Sequence, residues 1–329
     1  MQLKEVYRPI ARELSEVEDT IYASLQEAKN ASILKVNRFL LEGSGKRLRP
    51  ALVILSAKAS GNHKPQLPHR QLIAIASSIE LIHMASLIHD DVIDHSARRH
   101  HQATINSKWG ADTSIALGDY LHALSFKLIA TCSNTDILNC ISAATQAMCE
   151  GELIQVLERD NLSLLKERYL LIIKKKTAGL FAASCQVGAI ASNSSKPLQN
   201  ALKDYGLNFG IAFQIVDDYL DLMAPEETLG KAPGQDIAVG EVTLPILHLF
   251  KFLSKKEKSR LEKLLKTRPS DCLQYIRKRL KAPKAKDYTK DMSFSYLDSA
   301  KKSLKKLPDS KYRKSLLDLG DVVFKRGFC

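Results

Sequence analysis

Apolar residues recur along most of this chain at the three- and four-residue spacing that places them on one face of an α-helix. No stretch of useful length alternates apolar and polar residues as a half-buried strand does. The pattern therefore predicts an all-α protein, a large helical bundle. The predicted helices cover residues 1–42, 51–60, 70–95, 111–132, 136–158, 163–192 and 197–223 and, with proline interruptions, most of the chain after 255.

Three loops interrupt these helices: GSGKRLRP after the first ones, a polar loop after residue 95, and a Gly/Pro-rich loop after residue 223. None has the composition of a linker between domains, so we expect one domain over residues 1–329. The longest uncharged stretch, 177–195, is rich in Ala, Ser and Gly. It predicts a buried core helix and not a membrane span, and we expect a break near Gly179.

The composition is that of an ordinary soluble globular protein, since 45% of the 329 residues are hydrophobic and 26% are charged. The first residues are charged and show no apolar signal-peptide core. The six cysteines have no metal-ligand spacing, so we expect reduced core thiols. Together these features favour a cytoplasmic location.

The net charge of +13 is concentrated near the end of the chain. Residues 251–329 contain 24 Lys and Arg against 9 Asp and Glu, a net of +15, and the first 250 residues carry −2. Such a basic region is either a solvated, lysine-rich set of helices or a surface for polyanions. It contains no nucleic-acid motif, so we expect no nucleic acid and a peripheral contact with anionic membranes instead.

Two copies of the pattern DDxxD carry the clearest chemistry, and both lie in apolar, helix-patterned segments. Carboxylates are costly there unless a cation binds them. Aspartates four residues apart share a helix face, and magnesium is usually held by one or two carboxylates together with substrate phosphates. The sequence therefore predicts two walls of one Mg²⁺-binding cavity. The six expected metal ligands are Asp90, Asp91, Asp94, Asp217, Asp218 and Asp221.

A site for diphosphates also needs cations. Lys46, Arg47 and Arg49 cluster beside two glycines, which let a backbone approach a ligand. Arginine contacts phosphate through two N–H groups and lysine offers a point charge. Lys176 precedes an apolar helix, and Lys231 lies in the Gly-rich loop. These basic residues are candidates for phosphate binding, although solvated basic loops are common.

The chain resembles the trans-isoprenyl diphosphate synthase, or polyprenyl synthetase, family in an ordered set of segments: GSGKRLRP, IHMASLIHDDVID, GELIQV, KKTAGLF, FQIVDDYLDL and LGKAPGQD. The similarity runs from about residue 30 to the end and is greatest to long-chain octaprenyl and heptaprenyl diphosphate synthases. It implies an all-α fold around a central cavity, a homodimer, and Mg²⁺-dependent repeated condensation of isopentenyl diphosphate onto an allylic diphosphate.

The resemblance also implies roles for individual residues. Isopentenyl diphosphate would be held by Lys46, Arg49 and His83. Magnesium that bridges the allylic diphosphate would be bound by Asp90, Asp94 and Asp217, with Asp91, Asp218 and Asp221 in support. The allylic diphosphate or its leaving group would be contacted by Lys176, Thr177, Gln214 and Lys231. The residues expected to be catalytic are Asp90, Asp94, Lys176, Gln214 and Asp217.

Product length depends, in this family, on the residues just before the first motif. Ala85 and Ser86 are small, which favours a deep channel and a long product over farnesyl diphosphate. A channel floor formed by another side chain is the alternative, and with it a shorter-chain farnesyl or geranylgeranyl diphosphate synthase.

Two positions depart from the family's pattern. Where the family has an arginine pair, a gap-free alignment gives Arg99 and His100, whereas a one-residue slip lets Arg98 and Arg99 serve. Where a lysine usually precedes TLP, this chain has Glu241, whose carboxylate is unfavourable near a diphosphate unless it faces away or binds metal.

Two other classes of protein compete with a synthase. A non-catalytic subunit of a heteromeric prenyl synthase would keep the fold and lose part of the site, which the departures favour slightly and the six aspartates oppose. A metal phosphohydrolase of the HD type is suggested by the adjacent His89 and Asp90, but it gives no role to the second aspartate motif.

Overall fold

The computed structural model confirms the all-α fold. It describes residues 2–43, 45–61, 67–99, 101–159, 161–230, 232–267, 269–280 and 283–328. The first nine α-helices are α1 (Leu3–Tyr7), α2 (Ala11–Gln26), α3 (Ala31–Leu41), α4 (Leu48–Ala59), α5 (His69–Ile93), α6 (Ile105–Trp109), α7 (Ala111–Ala130), α8 (Thr135–Glu158) and α9 (Leu162–Ile173). They are followed by α10 (Gly179–Ala191), α11 (Lys196–Met223), α12 (Glu226–Leu229), α13 (Gln235–Ala238), α14 (Leu244–Phe252), α15 (Lys255–Thr267), α16 (Pro269–Leu280), α17 (Pro283–Ser303) and α18 (Lys311–Phe328).

Short elements complete the described chain. A π-helical segment, Lys174–Ala178, separates α9 from α10, which places the predicted break just before Gly179. Two-residue strands, β1 (Arg98–Arg99) and β2 (Gln102–Ala103), pair antiparallel within the polar loop after α5. The sequence did not predict this hairpin, because two residues are too few for a visible alternation. Short 3₁₀ turns occur at Arg8–Ile10 and Leu304–Lys306.

Helices α5, α10 and α11 form the interior of the bundle. Helix α5 packs on α7, α4 and α2, while α10 packs on α11, α4 and α8. Nearly every residue of α10 is buried, which confirms the predicted core helix. Within the described part of the chain, only α5 has the length and hydropathy of a membrane-crossing helix, and 72% of that apolar window is buried inside the protein.

The basic C-terminal region is folded against the rest of the bundle. Helices α17 and α18 pack on α11, and α18 also contacts α4 and α1. Helices α14 and α16 join α9 and one face of α11 in a second apolar cluster, around Ile215, Leu222 and Ile276. That residues 1–329 behave as a single domain stays a prediction.

Two glycines allow α10 to approach its neighbours closely. A Cβ atom at Gly206 of α11 would lie 2.5 Å from the carbonyl oxygen of Phe181 in α10. A Cβ atom at Gly188 of α10 would lie 2.2 Å from the carbonyl oxygen of Val53 in α4. Both clashes are with backbone, which cannot move aside as a flexible side chain can. Glycine at these positions therefore sets the spacing of the inner helices.

We predict that Gly206→Ala lowers the free energy of unfolding by about 1–3 kcal/mol, as overpacking of a close helix contact does. Gly320→Ala in α18 is the control, because a Cβ there would meet only side-chain atoms at 3.5 and 3.6 Å. Alanine in that helix should be neutral or stabilising by up to about 1 kcal/mol. Urea denaturation followed by circular dichroism measures both, and equal stability of the two variants would contradict the prediction.

Candidate active site

One cavity of about 820 Å³ contains both aspartate motifs. All six predicted metal ligands line it, so the fold brings the end of α5 and the second half of α11 to one place. Most of the other predicted site residues line it as well. They are Lys46, Arg49, His83, Ser86, Arg99, Lys176, Thr177 and Gln214.

The first motif lies at the C-terminal end of α5. Asp94 caps the helix, and its N–H donates to the carbonyl oxygen of Asp90 at 2.8 Å. Asp91 is buried, and its Oδ1 accepts a hydrogen bond from Arg99 Nε at 2.9 Å. Asp94 Oδ1 accepts from Arg159 Nη2, also at 2.9 Å. Burial raises the pKa of Asp90, so a bound cation would favour the charged form of this carboxyl.

In the second motif, Asp218 is buried inside a chain of hydrogen bonds. Its Oδ2 accepts from the Tyr169 hydroxyl at 2.6 Å, and its Oδ1 accepts from Gln214 Nε2 at 2.7 Å. Gln214 Oε1 in turn accepts from Thr177 Oγ1 at 2.8 Å. Burial raises the pKa of Asp218 to about 7, against the lowering effect of its two donors. Asp218 therefore orients Gln214 and is itself oriented from α9.

The other two aspartates of the second motif are held by distant elements. Arg326, near the end of α18, donates from Nη1 to Asp217 Oδ1 at 2.6 Å. The backbone N–H of Asp236, in α13, donates to Asp221 Oδ2 at 3.3 Å. Both α18 and the loop after α11 therefore close on this motif.

The donor set fits a hard divalent cation. The motifs offer only carboxylate oxygens, and burial penalises the charge on Asp90 and Asp218, which a cation would relieve. In the described ranges no three His, Cys, Asp or Glu side chains are grouped closely enough to hold a metal by themselves. This arrangement suits Mg²⁺, which usually takes phosphate oxygens and water beside one or two carboxylates.

The residues expected to hold isopentenyl diphosphate occur together in the cavity wall. Arg49 is buried, lies 4.3 Å over the ring of Phe181, and has its pKa lowered to about 10 by burial. Burial also lowers the pKa of Lys46. Burial lowers the pKa of His83 well below its ordinary value, so this histidine is neutral and can donate one hydrogen bond without carrying charge.

Arg47, between these cations in sequence, has its donors engaged elsewhere. Its Nε contacts Glu18 Oε1 at 2.5 Å and its Nη1 contacts Glu80 Oε1 at 3.0 Å. Arg47 therefore connects the start of α4 to α2 and α5. It lines the cavity as Lys46 and Arg49 do, but Glu18 and Glu80 occupy its guanidinium.

Lys176 and Thr177 lie in the π-helical segment, a feature that is frequent at functional sites. Gly151 of α8 makes room for this segment, because a Cβ there would lie 2.6 Å from Lys176 N. Lys176 forms an ion pair with Glu152. Burial lowers the pKa of Lys176, but Asp90 and Glu152 outweigh that effect and raise it. Lys176 is therefore a permanent cation beside the first motif.

Glu241, the residue that departs from the family's lysine, does not face away from the cavity. Its Oε1 accepts hydrogen bonds from Gln155 Nε2 and from Arg159 Nη2, the latter at 3.2 Å. Burial raises the pKa of Glu241, and the positive charges of Lys176 and Arg159 oppose that rise. The unfavourable carboxylate is thus held by donors from α8.

The hairpin after α5 separates the two arginines of the second departure. Arg99 lines the cavity and binds Asp91, whereas Arg98 is exposed and donates to the carbonyl oxygen of His101 at 3.2 Å. Successive strand residues point to opposite sides, so β1 brings only one of the pair to the site. The prediction that Arg98 binds substrate is therefore not supported by its position. His100 and Lys231 lie outside the described residues.

The two residues expected to control product length also separate. Ser86 lines the cavity, together with His122, Met148 and Cys149. Ala85 is fully buried in the apolar core and does not line the cavity, because neighbouring helix residues point about 100° apart. Of the two small residues, only Ser86 therefore lines the cavity, and the role of this pair in product length stays a prediction.

Several residues of the site were not predicted from the sequence. Glu152 could have been found from the sequence, because it belongs to the segment GELIQV, which resembles the family. Tyr169, Arg159 and Arg326 reach the motifs only through the tertiary fold. Their positions in sequence give no local pattern that marks them.

Comparison with known proteins agrees with this site. The polyprenyl synthetase family pattern matches residues 30–281. The chain is 29% identical to the octaprenyl diphosphate synthase of Escherichia coli K12, covering 99% of each chain. It is 30% identical to the geranylgeranyl diphosphate synthase of Methanosarcina mazei, covering 100% of each.

A similar solved structure is the polyprenyl synthase of Caulobacter crescentus CB15 in complex with calcium and isoprenyl diphosphate. It has a TM-score of 0.92 and 31% identity, and the match covers 99% of this chain and 98% of that one. Two DDxxD motifs in one cavity, a matching family pattern and matching relatives thus lead to one conclusion. The chain belongs to the polyprenyl synthetase family, a family of prenyltransferases.

Proposed function

We propose that this protein is a long-chain trans-polyprenyl diphosphate synthase, which repeatedly condenses isopentenyl diphosphate onto an allylic diphosphate. The observation that carries the proposal is the single cavity that contains both aspartate motifs and two groups of cations. The similarity to a geranylgeranyl diphosphate synthase keeps a shorter product as the alternative.

The residues that would hold Mg²⁺ are Asp90, Asp94 and Asp217, with Asp91, Asp218 and Asp221 in support. When bound, Mg²⁺ would supply positive charge that neutralises the departing diphosphate. The permanent positive charge of Lys176 stabilises the negative charge on the departing diphosphate. Gln214, oriented by Thr177 and Asp218, donates the second N–H of its Nε2 to the same diphosphate.

Isopentenyl diphosphate binds at Lys46, Arg49 and His83. The two cations pair with its phosphates, and the neutral His83 donates a hydrogen bond. The apolar wall of the cavity keeps water away from the allylic carbocation until the alkene attacks it. The released diphosphate accepts the proton that is then lost, so the reaction needs no protein base.

The cations around the site favour an active enzyme over a non-catalytic subunit. Arg99 lies against Asp91 although the arginine pair is incomplete, and Arg159 lies beside Glu241. The hypothesis of an HD-type phosphohydrolase is wrong, because the chain belongs to the polyprenyl synthetase family. His89, which together with Asp90 suggested that hypothesis, contacts the carbonyl oxygen of Ile115 in α7 at 3.2 Å.

We also propose a homodimer that works in the cytoplasm. Helices α7, α8 and α9 expose large apolar side chains to solvent, which is unusual for a monomer. This exposed apolar face comprises Ile115, Phe126, Leu138, Leu153, Val156, Leu157, Leu170 and Leu171. A second copy of the chain is the occupant that the resemblance implies. Contact of the basic helices with anionic membranes remains a prediction.

We expect the purified protein, with Mg²⁺, farnesyl diphosphate and isopentenyl diphosphate, to form longer prenyl diphosphates, and EDTA to abolish their formation. Asp217→Asn should lower kcat by at least about 100-fold, because it removes a carboxylate that would hold the Mg²⁺ by which the leaving diphosphate is neutralised. Asp298→Asn, in an exposed ion pair with Lys302, is the control. Absence of elongation by the unmodified protein alone would refute the proposal.

Ser86→Phe should shorten the products, because a phenyl ring in the cavity wall occupies space that the growing chain needs. Ser86→Ala, which keeps the residue small, should leave the distribution unchanged. Mass spectrometry of the products measures both. An unchanged distribution in an active Ser86→Phe enzyme would place the channel floor elsewhere.

Leu157→Glu should convert the dimer to a monomer, since the Leu157 side chain is 81% exposed in the single chain and a buried, unpaired carboxylate opposes association. Phe252→Glu, at an exposed aromatic residue outside this face, is the control. Sedimentation equilibrium gives the mass of each. A monomeric unmodified protein would exclude the homodimer.

A further inference from the structure

Arg159 bridges two carboxylates that come from different parts of the fold. Its Nη2 lies 2.9 Å from Asp94 Oδ1, at the end of α5, and 3.2 Å from Glu241 Oε1, in the loop before α14. The three side chains are only 19%, 20% and 16% exposed, so their charges are poorly screened by water. Arg159 itself is the C-cap residue of α8.

One face of α8 contacts Glu241 and Lys176 in the cavity. Glu152, Gln155 and Arg159 follow at spacings of three and four, which places them on successive turns of the same face. Gln155 donates to the Glu241 oxygen that Arg159 also contacts, and Glu152 pairs with Lys176. The helix thus fixes Glu241 through two donors at once.

The guanidinium has more donors than its present partners use. Both ion pairs are made by Nη2, and the buried Nε has no hydrogen-bond partner among the described residues. An unsatisfied buried donor is unfavourable. Arg159 lines the cavity beside Asp94 and shares it with Lys176, so an anion held there would meet the positive charge of the guanidinium.

We propose that Arg159 is a further residue that contacts the allylic diphosphate, and that Glu241 and Gln155 are positioning residues that hold its guanidinium toward the cavity. This inference rests on the proposed function, because it deepens the use of the same site. Glu241 then favours binding of the diphosphate indirectly, because it holds the positively charged Arg159 in place. In this way an acidic residue supports the binding of an anion.

The test is equilibrium binding of farnesyl diphosphate in saturating Mg²⁺ without isopentenyl diphosphate, measured by calorimetry, beside an elongation assay of the unmodified protein. Arg159→Gln should raise Kd roughly 10- to 100-fold, the effect of losing a charge-assisted hydrogen bond. Arg159→Lys should recover part of that loss. Arg168→Gln, which breaks an exposed ion pair with Glu158 at the same end of α8, should bind as the unmodified protein does.

Glu241→Gln separates positioning from repulsion. If Glu241 holds Arg159, its loss should raise Kd severalfold and should add little in the double variant Arg159→Gln/Glu241→Gln. If Glu241 only repels the diphosphate, its loss would tighten binding, and that result would overturn the proposal.

Other outcomes are equally decisive. Unchanged Kd in folded Arg159→Gln at saturating Mg²⁺ would refute the contact, and an effect present only at limiting Mg²⁺ would refute it too, because Arg159 would then act only through Asp94. An unmodified protein that binds farnesyl diphosphate but does not elongate it would refute the synthase and leave the Arg159 test valid. A protein that does neither would refute both.

Discussion

The electrostatic balance inside the cavity is the constraint on which the rest of the structure depends. Carboxylates from α5, α8, α11 and the loop before α14 share a space that water only partly reaches, and burial raises the pKa of several of them. Most of them accept from a donor in another element, such as Arg99 for Asp91 and Tyr169 for Asp218. Breaking one partner away would leave an uncompensated buried charge, which is much costlier than losing a surface ion pair.

Close helix packing makes this balance workable. Glycines at 151, 188 and 206 bring backbone against backbone, and the π-helical segment shifts the register just where Lys176 must enter the cavity. The apolar wall of the cavity and the charged residues around Lys176 therefore both depend on the close helix spacing.

The helical pattern predicted much of this arrangement. Predicted and observed ends of α5, α7, α8 and α11 agree within about two residues, because long runs of regular apolar spacing are unambiguous. The aspartate motifs also predicted the cavity, since three carboxylates in an apolar helix are unfavourable unless cations bind them. The sequence did not separate Ala85 from Ser86, because spacing does not tell which side of a buried helix faces a cavity. Arg159 and Arg326 were missed because their partners are distant in sequence.

The position of α18 bears on how the protein is made. Arg326 reaches Asp217 across 109 positions of the chain, and Ser315 bonds to the carbonyl oxygen of Val6 across 309. Contacts of such separation form only after α18 has left the ribosome. Until α18 docks, Asp217 lacks its arginine partner, and the surfaces of α4 and α11 that α18 covers stay exposed. The emergence of α18, and not the appearance of the two motifs, therefore fixes the moment at which the cavity becomes whole.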